Sequence, residues 1–137
     1  MKLVFVFPFV NDKFGRPLKW LRLSAPTLIG HLAPRFPQVS FDQFDLEEEV
    51  KEAFLRRKLN RKYLKLLNQF PRQDIDFIGN NDLIKYEDFL ADIVDYLNLD
   101  QYDHYLFSFY NRNKTGIKAN LLLAQYLKKR FKNKKIS

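Results

Sequence analysis

The sequence predicts an α/β fold of Rossmann-like, flavodoxin type: a parallel sheet with flanking helices, three full strands and a truncated fourth. Three observations predict it. Leu3–Val10 is apolar throughout and rich in β-branched and aromatic residues, the pattern of a strand buried on both faces. Asp103–Phe109 is another short apolar strand, which delivers a polar loop, Asn111–Gly116, at its carboxyl end. Helical stretches alternate with these strands, which implies parallel pairing and right-handed crossovers.

The elements follow in order. After Leu3–Val10, residues 11–25 read as a mixed polar loop with Trp20 in its second half. Ser24 is a candidate cap for a helix with Pro26 in its first turn. That helix runs through Leu28, Ile29, Leu32 and Ala33 and stops near Pro34 or Pro37. Val39–Phe44 has the length of a second strand, with Asp45 at its carboxyl end. Residues 47–70 read as one helix, with Leu55, Leu59, Tyr63, Leu66, Leu67 and Phe70 as its apolar stripe. Pro71–Asn81 is a linker. Asp82–Leu97 is a second amphipathic helix, carrying Tyr86, Phe89, Leu90, Ile93, Val94 and Leu97. After the third strand, Ile117–Phe131 is a helix expected to turn Leu121, Ala124, Leu127 and Phe131 inward. Lys134–Ser137 begins a fourth strand. The expected strand order is 2-1-3-4.

Composition narrows the function. The chain has 137 residues, enough for one core, and the reading is one domain over 1–137. Hydrophobic residues make up 46% and aromatics 16%, which excludes a disordered chain. Cys is absent, so disulfides, zinc–thiolate sites and iron–sulfur clusters cannot form within the chain. The opening apolar run is interrupted by Pro8 and is too short to span a bilayer, and it lacks a small-residue cleavage site. It therefore reads as a strand, and the expectation is a cytoplasmic protein without membrane association.

The net charge of +8 is distributed in blocks. Residues 42–49 are acidic and 51–65 basic. Residues 74–103 are acidic again, and 112–135 carry nine Lys or Arg without an acid. Such blocks suggest separate charged helix faces rather than one basic groove. There is no P-loop, Gly-x-Gly-x-x-Gly or Gly-x-Ser-x-Gly. Asp45 with Glu47, Glu48 and Glu49 reads as carboxylates favoured at a helix start rather than as a metal or acid/base site. A free-standing enzyme finds no catalytic constellation here.

Three segments carry a family resemblance. They are Leu3–Pro8 with the later Pro26–Ala33 helix, Val39–Phe44 ending at Asp45, and Tyr102–Ser108. The chain resembles the N-terminal cobalamin-binding-like domain of radical SAM proteins. It departs from the family at Leu28, where Gly is frequent, and at Leu106, where a small residue is frequent. The family's fourth strand continues to a glycine pair that this chain does not contain.

The resemblance implies a non-catalytic accessory domain that positions cobalamin over a radical SAM barrel, supplied in cis or in trans. It implies an N-terminal portion of a longer protein. The Asp-x-His-x-x-Gly pattern of histidine-ligated cobalamin is absent, so any corrinoid would bind without a His ligand. The implied contacts are Pro8, Phe9, Trp20, Asp45, Ser108, Phe109, Asn111 and Thr115, with Asp45 an acceptor for a ribose or an amide. An open sheet edge also favours a homodimer. The second reading is a basic interaction or nucleic-acid-binding domain without cofactor. It would use Arg56, Arg57, Arg61 and Lys62 or the Lys128–Lys135 tail, although a solvated helix face is the default for such residues.

Overall fold

A computed structural model of the chain describes residues 1–7, 21–69, 81–107 and 114–137. Four parallel strands stand in the order β2-β1-β3-β4. They are β1 (Lys2–Phe7), β2 (Ser40–Asp45), β3 (His104–Phe107) and the short β4 (Lys135–Ile136). The helices are α1 (Leu21–Leu32), α2 (Leu46–Leu55), α3 (Lys62–Gln69), α4 (Asn81–Tyr96) and α5 (Lys114–Arg130). The α/β class and the strand order are those read from the sequence.

Register sets the two faces of the sheet. Val4 pairs with Tyr105 and Val6 with Phe107. Each is buried, on the face covered by α2, α4 and α5. On the other face Phe7 is buried but Leu3, Phe5, His104 and Leu106 are only half-buried, so most of that face of β1 is less well covered. Right-handed crossovers explain the asymmetry. The chain leaves β1 for β2 over one face through α1, then returns across β1 to β3 and on to β4 over the other. Ala25 of α1 is buried but stands outside the main core cluster.

The main core is the set expected for α4. Tyr86, Phe89, Leu90, Ile93, Val94 and Leu97 are all buried. In α5 Leu127 is buried and Phe131 packs against the core as expected; Leu122, Leu123 and Tyr126 are buried besides, and Leu121 and Ala124 are only half-buried. The run Leu121–Ala124 is apolar on every side, so its periodicity admits more than one stripe. Packing against α4 and the sheet selects the one at i, i+1, i+4, i+5 spacing.

The expected single helix over 47–70 is two helices. Helix α2 ends at Leu55 in a Schellman turn. The Lys58 amide donates to the Ala53 carbonyl at 2.8 Å and the Arg57 amide to the Phe54 carbonyl at 3.1 Å. Arg57 sits there at φ 56, in the left-handed region that glycine usually fills. For an L side chain that conformation costs about 1 kcal/mol. The Asn60 side chain then accepts the Lys62 amide at 2.9 Å and starts α3. The break changes the stripe. Leu46, Val50 and Ala53 are buried on α2, and Leu55 lies on the opposite side, 79% exposed. Leu59, Tyr63 and Leu67 rejoin the core beyond the turn.

Helix α1 starts at Leu21, earlier than a cap at Ser24 would place it, and Pro26 lies inside it. Pro26 has no amide hydrogen to donate to the preceding turn.

Candidate functional site

In a doubly wound sheet, ligands sit outside the carboxyl ends of the strands, where the chain reverses its direction of travel across the sheet. Here that reversal falls between β1 and β3, beyond Phe7 and Phe107. In the sequence, residues 8–20 come after β1 and residues 108–113 after β3. Pro8, Phe9, Trp20, Ser108, Phe109 and Asn111 lie outside the described residues. Thr115 belongs to the first turn of α5 rather than to the loop before it, because that helix begins at Lys114.

Asp45 is the site residue whose surroundings are visible. It closes β2 and caps α2, its Oδ1 accepting the Glu48 amide at 3.3 Å. The cap satisfies one of the amides left open at a helix start. The acidic residues after it serve the helix as well. Glu47 pairs with Lys51 at 2.9 Å. Burial, and next the Asp45 carboxylate, push the Glu49 carboxyl above its ordinary range. No group of three or more His, Asp or Glu among the described residues is placed to hold a metal ion. Asp45 thus has a structural task at the position where the resemblance implies a ligand contact.

Both histidines lie away from this end of the sheet. His104 opens β3 at its amino end. Three residues separate it from Phe107, or about 10 Å along a strand. Its Nε2 meets the Ser137 hydroxyl at 2.9 Å. Burial and, secondarily, Lys135 lower its pKa. His31 is in the last turn of α1, which returns the chain to the amino end of β2.

Among the described residues, voids also lie elsewhere. A small apolar one of about 40 Å³ sits inside the core between Leu46, Val50, Tyr86, Phe89 and Leu123. A groove of about 360 Å³ runs between α5 and β4, lined by Leu121, Ala124, Gln125, Lys128, Lys134 and Ile136.

The amino end of the sheet is closed by polar bonds. Asp103 accepts the Lys2 amide at 2.8 Å, and its own amide donates to the Lys2 carbonyl at 2.8 Å. Tyr102 donates to the Asp42 carboxylate at 2.6 Å and meets Phe44 edge-on, which anchors the exposed edge strand β2.

Each of the two basic blocks is paired in part. Near the C-terminus Lys129 pairs with Glu87, Arg130 with Asp95 and Lys134 with Asp103. Around the α2–α3 turn Arg56 pairs with Glu52. Arg57, Lys58, Arg61 and Lys65 are exposed and have no ion-pair partner among the described residues. Sequence reading placed these cations on the outside of one long helix. The signal for the turn was Asn60, a strong capping residue in the middle of the supposed helix.

No family model, curated protein or solved structure matches this chain. No helix among the described residues is long and apolar enough to cross a membrane.

Proposed function

We propose that this chain is a cofactor-binding accessory module of cobalamin type, non-catalytic by itself. The observation that carries the reading is the β2-β1-β3-β4 order, whose reversal point lies between β1 and β3. Two segments that follow strands there, 8–20 and 108–113, contain most of the contacts the radical SAM resemblance implies. The placement of His31 and His104 at the far end supports a mode without a histidine ligand. In this reading a corrinoid lies across the carboxyl ends of β1 and β3. The chain's residues hold and orient it, and a radical SAM barrel acts on what it presents. The corrinoid would supply methyl-transfer or redox chemistry at cobalt. The open edge at β4 is the surface for that barrel or for a second copy.

Titration with hydroxocobalamin, read by visible absorption and gel filtration, tests the proposal. Co-elution with a base-off spectrum is the expected result. A corrinoid that elutes entirely free from folded protein overturns cofactor binding by this chain.

A further inference from the structure

We propose that the α2–α3 connection is a binding surface for the phosphate backbone of a nucleic acid duplex, engaged by Arg57, Lys58, Arg61 and Lys65. The turn is separated from Asp45 by the length of α2, about 15 Å, and the inference stands whether or not a corrinoid binds.

The first observation is the number of cations without acidic partners around the α2–α3 turn. Near the C-terminus Lys129, Arg130 and Lys134 are paired, and Lys128, Lys132 and Lys135 have no ion-pair partner among the described residues. Around the turn Arg57, Lys58, Arg61 and Lys65 are exposed within nine residues and none has an ion-pair partner among the described residues. Uncompensated cations this close repel one another, and an external polyanion relieves that repulsion.

The second is the backbone at Arg57. The Schellman turn needs a left-handed residue, and Arg57 holds it at φ 56. Its side chain makes no ion pair within the described fold that would offset the strain. Strain kept at a position with an outward-facing charge points to a use for that charge outside the fold.

The third is the orientation of α3. Tyr63 and Leu67 are turned inward and buried. Arg61 and Lys65, one turn apart, therefore share the outer face, with Asn68 beside them. Leu64, 39% exposed, is the largest apolar group on that face. An anionic bilayer would need an apolar stripe to insert, and the stripe of α3 is already used by the core. Rigidly spaced cations and amides suit phosphodiester oxygens.

The test is fluorescence anisotropy of the full chain with a labelled mixed-sequence DNA duplex and its RNA counterpart, over a salt series. Four phosphate contacts predict a slope of log Kobs against log salt of about −3 to −4, and an affinity loss of roughly 100-fold between about 50 and 200 mM salt. The Arg61→Ala/Lys65→Ala double variant should make the slope shallower by about 2. The Lys128→Ala/Lys132→Ala variant, confirmed as folded by circular dichroism, should leave it unchanged. Absence of duplex binding at low salt overturns the proposal. So does an equal change in slope for both double variants. Preferential binding to phosphatidylserine vesicles, lost on Leu64→Ser, assigns the surface to lipid instead and also overturns it.

Discussion

The Tyr63 hydroxyl donates to the Asp92 carboxylate at 2.6 Å and so ties α3 to α4. The same ring meets Phe89 edge-on at 5.6 Å, which makes Tyr63 both an apolar plug and a polar clasp. Tyr63→Phe keeps the plug and removes the clasp. Because Asp92 is exposed and regains water, the expected loss is about 1 kcal/mol, read from urea unfolding. A neutral result would make the clasp an ornament of packing.

Three buried tyrosines give the protein an alkaline limit. Burial, then hydrogen bonding to Asp92 and Asp42, pushes the Tyr63 and Tyr102 hydroxyls far above the ordinary tyrosine range. Burial, with Asp100 and Asp103 adding to it, pushes Tyr105 up to about 12. A folded-state pKa above the unfolded one favours the fold fully below the unfolded value, near pH ~10. That stability is lost as pH rises from there through the folded values. Thermal melts should therefore fall steeply above about pH 10. Tyrosinate absorbance should rise in part with unfolding rather than ahead of it.

On the acid side, two groups among the described residues have lowered pKa. His104 is lowered by burial and then by Lys135. Asp103 is lowered chiefly by the Lys2 amide. Each contributes stability that is present above its unfolded pKa and lost as pH falls through the folded value. Melting temperature should decline first below about pH 6.5 and again below about pH 4. Replacing His104 with Gln should remove the first step and leave the second.

Asp45 allows capping to be separated from charge. Asp45→Ala loses the cap on α2 and should cost about 1 kcal/mol. Asp45→Asn keeps a capping oxygen and should cost only a few tenths. If hydroxocobalamin binds, Asp45→Asn weakens it only where the carboxylate contacts the corrinoid. An unchanged affinity would leave Asp45 a cap and nothing more.

Arg57 allows strain to be separated from charge. Arg57→Gly relaxes the left-handed position but frees the unfolded chain, so the expected net gain is up to about 1 kcal/mol. The same change should make the duplex salt slope shallower by about 1. Stabilisation without a change in slope would restrict Arg57 to the turn.

Much of this fold was legible locally. The stripe of α4 satisfies one period in one phase, and the apolar runs at Leu3–Phe7 and His104–Phe107 are short and rich in β-branched or aromatic residues, which marks them as strands. The 2-1-3-4 order came with the flavodoxin-type reading, since alternation and crossover handedness limit the topologies without choosing among them. Asp45 at a strand's end was legible as well, but its role was not, because a cap and a ligand contact look alike in a sequence. Most other candidate site residues, Pro8, Phe9, Trp20, Ser108, Phe109 and Asn111, fall outside the described residues.

The sequence by itself determined the α/β class, the inward face of α4 and the absence of thiolate chemistry, since these depend on composition and on short-range period. Only the tertiary structure decided where the long basic helix breaks, which leucines of α5 face the core and which cations remain without partners. A capping asparagine competes with helix propagation by energies of similar size, and packing on both sides settles the contest. Ion pairs such as Arg130 with Asp95 join residues far apart in the chain, so local charge patterning contains no record of them.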